Sequence, residues 1–280
     1  SDVYKRQGIW RFSRVICYTF VCLFQAYTRF KHVDRKEKGR MLRYYPTQVL
    51  KLAGVRCSYE GHVPELLNEC GLTDTPPACL VLSNHVSWLD IFSLDSQLPS
   101  RFIAKAEIAK WPIFGLIAQQ IGTLFINRSS KRAILRINDD IRGALCNCEA
   151  VTIFAEGTTT FGNELLPIKA NFIAPACEIG ATVQPVILSY KNKGKPTKQA
   201  AFSGDVTLFG SLWNVVTMED AEVVVHFLEP ITNTKDLTRH EVAKICEERM
   251  RAKLQEIWGD EYIANDANAA EALAKAIANG

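Results

Sequence analysis

The sequence predicts an α/β domain: a mostly parallel central sheet flanked by helices, preceded by an N-terminal membrane-associated two-helix segment. Three observations point there. From Ala78 onward, short apolar runs alternate with longer periodic segments, the pattern of strands and helices laid down in turn. Several short runs are apolar throughout, as strands buried on both faces are. Hydrophobic residues make up 48% and charged residues 22% of the 280, enough apolar material for a core and too little charge for a disordered chain.

Taken in order, the first element is the uncharged run 15–27, bracketed by Arg11 and Arg14 on one side and Arg29 and Lys31 on the other. As a helix it reaches roughly 20 Å, short of the ~30 Å hydrocarbon core, so a simple spanning helix is not expected. No small-x-small cleavage site follows, which sets a signal peptide aside. A second short helix is expected over 41–55, with Leu42, Tyr45, Val49, Leu50 and Leu52 among Arg40, Arg43 and Lys51. Basic flanks with Trp10, Tyr18, Tyr27, Tyr44 and Tyr45 suit shallow insertion at an anionic membrane surface. Docking of the same hairpin on the protein's own core is the alternative. Residues 1–7 resemble translated sequencing-adaptor read-through and are left out of the fold reading.

Strands are expected at 78–83, 101–104, 123–127, 151–155, 182–188 and 221–227. Helices are expected at 107–120, where Pro112 and Gly115 start or kink the segment, and at 129–146. In the latter, Ile134, Ile137, Ile141 and Leu145 recur at helical steps and Ser129 or Ser130 can cap the start. A third amphipathic helix runs over 239–258, with Val242, Ile245, Met250, Leu254 and Ile257 as its apolar stripe. Residues 191–200 read as an exposed basic loop. The expected organisation is a basic helical segment over 1–60, an α/β domain over 61–262 and an Ala-rich tail over 263–280.

Charge is divided along the chain. Residues 1–60 hold 13 basic and 4 acidic residues, a balance of +9, and the remainder holds 20 and 26, a balance of −6. The basic end calls for an anionic partner, and charge alone admits a membrane or a nucleic acid. Nine cysteines, odd in number and scattered without a CxxC pair, point to reduced thiols. No Cys or His neighbours complete a quartet, so no metal is expected.

The sharpest motif is Ser83-Asn84-His85-Val86-Ser87-Trp88-Leu89-Asp90, directly after the first strand of the body. A His just past a strand end sits where open α/β sheets place ligands. Asp90, five residues on, is close enough to fold back onto the imidazole and fix its tautomer, giving a His–carboxylate base. Two plainer readings stand beside this one. Ser87-x-x-Asp90 has capping-box spacing, and His85 in a loop can bond to backbone.

These residues resemble the first signature, Asn-His-x-x-x-x-Asp, of the glycerolipid acyltransferase family typified by 1-acyl-sn-glycerol-3-phosphate acyltransferase. Three more blocks follow in the family's order. An apolar strand ending in Phe-x-x-Arg appears as Phe125-Ile-Asn-Arg128, and Phe-Pro-Glu-Gly-Thr-Arg-Ser appears as Phe154-Ala-Glu156-Gly157-Thr158-Thr159-Thr160. A strand with Pro-Val appears as Pro185-Val186. The resemblance covers about residues 80–190 and implies transfer of a fatty acyl group from a thioester, on coenzyme A or acyl carrier protein, to a lysophospholipid hydroxyl. No cofactor beyond that donor is implied.

The chemistry also follows from the residues. A hydroxyl attacking a thioester needs a base during the step, and an imidazole has a suitable pKa, which assigns His85 as base and Asp90 as its orienting partner. Direct attack requires no covalent intermediate, in keeping with the lack of a G-x-S-x-G elbow. Arg128 offers a charged fork for the acceptor's phosphate, or is a solvated residue ahead of a helix. Lys105, at another strand end, matches a basic position the family uses near the phosphate; an ordinary surface lysine is the alternative. Asn84 belongs to the motif and is grouped with the substrate-binding residues.

Gly157 after Glu156 lets the backbone turn tightly and approach a ligand. The resemblance implies that Glu156 binds the acceptor's glycerol end, with Gly157 and Thr158 beside it; a solvent-exposed turn carboxylate is the alternative. Thr159 stands where the family often has Arg, and Asn171 where it usually has Gly. The expected acceptor is 1-acylglycerol-3-phosphate, with lyso-ornithine lipid or another lysophospholipid as the alternative, and a non-catalytic lipid-binding role as the competing class. The expected setting is the cytoplasmic face of a membrane. With neither a Walker loop nor a GxGxxG, a nucleotide role is not expected, and the motifs remove nucleic acid as a partner.

Overall fold

The computed structural model describes residues 2–61, 79–127 and 131–264. Two helices open it, α1 (Asp2–Thr28) and α2 (Arg35–Ala53), joined by a 3₁₀ turn at Phe30–His32. Asp34 caps α2 by accepting the Glu37 N–H at 2.8 Å, and Gly54 ends it in the left-handed conformation (φ 76°). α1 begins inside the segment omitted from the sequence reading. Among the described residues no helix is long and apolar enough to cross a membrane.

Strand β1 (Val55–Gly61) follows at once, where the sequence reading placed the end of a helix and a domain boundary. Its alternation of Val55, Cys57 and Tyr59 with Arg56, Ser58 and Glu60 is a period of two, and it pairs in parallel with β8 (Ala221–Phe227). The body continues through β2 (Cys79–Ser83), α3 (Leu89–Gln97), β3 (Arg101–Lys105), α4 (Phe114–Gln120), β4 (Leu124–Ile126), α5 (Lys131–Cys146) and β5 (Ala150–Phe154). It closes with α6 (Ala174–Ile179), β6 (Thr182–Asn192), β7 (Lys195–Pro196), α7 (Leu208–Val216), β8 and α8 (Arg239–Trp258). The helix expected over 107–120 is split into a 3₁₀ turn, Ala106–Lys110, and α4, because Trp111 and Pro112 interrupt it. The Ser129 cap and the tail beyond residue 264 lie outside the described residues.

The sheet runs β1-β8-β6-β2-β5-β3-β4, with β7 on β6. Pairs from β6 through β4 are parallel, whereas β8 is antiparallel to β6, so the sheet is mostly parallel with a reversed edge. Within the basic segment expected as an exposed loop at 191–200, residues 191–196 form a tight hairpin with Lys193 (φ 55°) and Gly194 (φ 73°) at its two central positions.

Successive residues of each strand face opposite layers. Cys79 and Val81 of β2 join a cluster with Val15, Val49, Leu50, Leu89, Leu94, Leu212 and Val215, so α1, α2, α3 and α7 cover one face. Leu80 and Leu82 join Ile137, Ile141, Leu145, Ala176, Val242, Met250 and Leu254, so α5, α6 and α8 cover the other. The N-terminal pair thus packs into the same core as the sheet, and β1 runs across the expected division at residue 60. Burying Val49 and Leu50 alone contributes about 3–6 kcal/mol of transfer free energy.

Candidate active site

The site forms where β2 and β5 end side by side. Ala155 N–H donates to the Ser83 carbonyl (3.1 Å) and Thr160 N–H to the His85 carbonyl (2.8 Å), so the first and third sequence blocks form one unit. Phe202 N–H donates to the Val86 carbonyl (2.8 Å) and adds the segment after β7. Gly157 turns the chain at φ 76°, its N–H on the Phe154 carbonyl at 3.0 Å.

Asp90, fully buried in the first turn of α3, organises the centre. Its Oδ2 accepts from His85 Nδ1 at 2.7 Å, from Val86 N–H at 2.7 Å and from Ser87 N–H at 2.9 Å. Its Oδ1 accepts the Tyr190 hydroxyl at 2.6 Å. One oxygen of Asp90 thus serves both the backbone entering α3 and the imidazole ring. Asp90 as acceptor keeps the proton on Nδ1 and leaves the Nε2 lone pair open. The ring stacks on Phe154 with centroids 3.8 Å apart and an interplanar angle of 11°. Packing and a hydrogen bond together fix its plane.

No local signal in the sequence marks Tyr190. It lies 100 residues from Asp90, two positions past the expected end of its strand, on the face shared by Val186 and Leu188. Burial first, then the carboxylate beside it, pushes its hydroxyl well above the ordinary tyrosine range, so it stays a neutral donor.

Two residues expected to touch substrate are occupied elsewhere. Asn84, with no exposed surface, donates Nδ2–H to the Leu188 carbonyl (3.1 Å) and accepts the Leu188 N–H at Oδ1 (2.7 Å). Its amide completes the backbone pairing of β6 and pins the loop that carries His85. Glu156 is neither at the surface nor among the cavity-lining residues. It is 4% exposed, and its oxygens accept the N–H groups of His85 and Leu166, each at 2.9 Å. Burial pushes its carboxyl up to about 7 against those two hydrogen bonds. Thr159 donates its hydroxyl to the Phe202 carbonyl, which removes that hydrogen from any ligand.

A cavity of about 680 Å³ borders His85 and runs between the α1–α2 pair, α3, β3 and α4. Apolar residues dominate its wall: Ala26, Phe30 and Met41 from the N-terminal pair, Trp88, Ile91 and Phe92 from α3, Ile117 and Ile121 near α4. Lys105, Gly157 and Thr158 also border it, with Lys105 exposed. The structure thus brings His85, Asp90, Lys105, Gly157 and Thr158 together, whereas Arg128 lies outside the described residues.

A second histidine makes a contrast. His226 Nε2 lies 2.9 Å from Ser189 Oγ, and its Nδ1 lies 3.1 Å from Glu60 Oε2. The row has the members of a nucleophilic triad, but Ser189 and His226 are each 4% exposed and neither lines the cavity.

The family model described as acyltransferase matches residues 64–189. The chain is 39% identical to the 1-acyl-sn-glycerol-3-phosphate acyltransferase of Neisseria gonorrhoeae over 63% of its own length and 69% of that protein's. It is also 39% identical to the lyso-ornithine lipid O-acyltransferase of Pseudomonas aeruginosa, over 62% and 67% of the two lengths. Its identity to the lyso-ornithine lipid O-acyltransferase of Rhizobium meliloti is 32%, over 80% and 78%. The crystal structure of the 1-acyl-sn-glycerophosphate acyltransferase PlsC from Thermotoga maritima shares the fold. The TM-score is 0.59 at 18% identity, covering 89% of this chain and 98% of that one.

Proposed function

Because this chain belongs to the acyltransferase family, we propose that it moves a fatty acyl group from an acyl thioester to the hydroxyl of a lysophospholipid. The proposed acceptor is 1-acylglycerol-3-phosphate and the product phosphatidic acid. One observation carries the reading: an imidazole held at Nδ1 by a buried carboxylate and bordering an apolar cavity large enough for a lipid chain.

In the proposed step Nε2 of His85 takes the hydroxyl proton as the oxygen attacks the thioester carbonyl. The new C–O bond forms, the C–S bond breaks, and the imidazolium returns its proton to the departing thiolate. Asp90, accepting from Nδ1, stabilises the imidazolium, and Tyr190 holds the carboxylate still. Asn84 and Glu156 act as positioning residues by holding the backbone on either side of His85. Lys105 supplies positive charge for the acceptor's phosphate, with Arg128 as the second proposed cation. The donor is coenzyme A or acyl carrier protein, and no further cofactor enters the scheme.

The proposed setting is the cytoplasmic face of a membrane. Ile9, Trp10, Phe20, Val21 and Phe24 of α1 and Phe209 and Trp213 of α7 are exposed, and Phe12 packs against both α7 rings. Arg14 lies over Trp10, which joins positive charge to this apolar face.

Lyso-ornithine lipid is the second acceptor considered, favoured by Thr159 at a position the family often fills with Arg and by a relative of equal identity. Purified protein, offered each acceptor in vesicles with radiolabelled acyl-CoA or acyl carrier protein, separates the two. Labelled phosphatidic acid is the expected product. Turnover of lyso-ornithine lipid alone reassigns the acceptor, and turnover of neither refutes the proposal.

A further inference from the structure

The wall that α3 gives the cavity ends in a carboxyl group. Trp88, Ile91, Phe92 and Asp95 all border the cavity and follow one another at three- and four-residue steps, so one face of the helix forms this wall. Asp95 lies about 10 Å along the helix axis from Trp88, away from the reacting end. It is 1% exposed. Its Oδ1 accepts the Ser100 N–H at 3.0 Å, which closes the turn after α3. Its Oδ2 accepts no hydrogen bond among the described residues.

The Ser100 contact accounts for one oxygen, and the residue that carries the other borders an apolar space. A plain alkyl chain in the cavity would cover that oxygen without bonding to it, at a cost of a few kcal/mol. Burial also pushes the Asp95 carboxyl well above the usual carboxylate range, which favours a protonated group able to donate as well as accept. The ligand that satisfies such a group without bringing a second charge into an apolar space is a neutral hydroxyl.

We propose that Asp95 forms a polar subsite in the cavity wall for a hydroxyl carried on the body of an acyl chain, several carbons from its carboxyl end. The inference rests on the reading of the cavity as an acyl-chain site. The hydroxylated chain belongs to either the donor thioester or the lysolipid, because the same chemistry serves both.

The test uses the full chain and needs no turnover. A fluorescent fatty acid bound in the cavity is displaced by stearate and by a positional series of hydroxystearates. One mid-chain isomer is expected to bind about fivefold tighter than the isomer hydroxylated next to the carboxyl, the size of one net hydrogen bond. Asp95→Val is expected to abolish the difference. Asp95→Asn, which keeps an acceptor for Ser100 and offers an N–H to the cavity, is expected to retain it. Equal binding of all isomers by the wild-type protein overturns the proposal even where Asp95→Val fails to fold, and so does a preference that survives Asp95→Val. Supplying the favoured isomer as a coenzyme A thioester, and separately as a lysolipid, shows which substrate carries it. Selective binding without lysophospholipid turnover would refute the proposed function and leave the subsite standing.

Discussion

Replacing Asn84 with Leu distinguishes a substrate contact from a structural clamp. The change roughly keeps volume, so it opens little cavity, but it removes both partners of Leu188. Those bonds measure 3.1 Å to the carbonyl and 2.7 Å from the N–H, and the site has no exposure, so water cannot replace them. An orphaned buried group costs about 1–3 kcal/mol, and two of them cost about 2–6 kcal/mol. That is a large share of the 5–15 kcal/mol that holds a typical domain folded. Urea unfolding followed by circular dichroism should show a lower midpoint at unchanged slope. Acyl transfer per folded molecule should also fall, because His85 sits on the released loop. A variant within about 1 kcal/mol of wild type, with only a raised KM for the acceptor, would refute the clamp and return Asn84 to the substrate-binding role the sequence implied.

Three further outcomes are expected. His85→Ala should reduce transfer by about a hundredfold or more while circular dichroism and the unfolding midpoint stay near wild type, and full activity would end the base assignment. Glu156 carries a folded pKa raised to about 7, so its protonated form is favoured by folding; that contribution is present below the ordinary carboxylate value of 4.5 and is lost as pH rises through about 7. At about 1.4 kcal/mol per pH unit the loss is roughly 3 kcal/mol, and Glu156→Gln should flatten it, which urea midpoints from pH 4 to 8 would detect. Lys105→Ala should raise the KM for a phosphate-bearing acceptor several-fold, Lys105→Arg should restore it, and steady-state kinetics with an uncharged monoacylglycerol should respond to neither.

The legible parts of the fold were those with a local signature. The apolar runs at β2, β5, β6 and β8 and the stripe on α8 are short-range patterns, and they predicted the elements to within a few residues. β1 was overlooked although Val55, Cys57 and Tyr59 alternate, because the apolar run before it reads equally as helix. The hairpin at 191–196 has no clear local signature because Lys193-Gly194 is an unusual pair for a turn with two positive φ angles. At the site, the His85–Asp90 spacing was informative, since a carboxylate five residues on can fold back. Nothing local says that Asn84 will reach Leu188 or that Tyr190 will reach Asp90, each about a hundred residues away. The carboxylate of Glu156 turns to the N–H groups of His85 and Leu166, a direction that a motif does not specify.

The N-terminal pair has a bearing on how the protein can be recombined. Met41, Leu42 and Tyr45 of α2 and Cys22 and Ala26 of α1 form part of the wall of the space assigned to a lipid chain. A fusion joint or truncation placed at residue 60, where the charge pattern changes, would remove that wall together with an edge strand. Chimeras that exchange residues 1–54 between two such proteins should instead transplant chain-length preference along with the exposed apolar residues of α1. One exchange would therefore alter the cavity wall and that exposed face together.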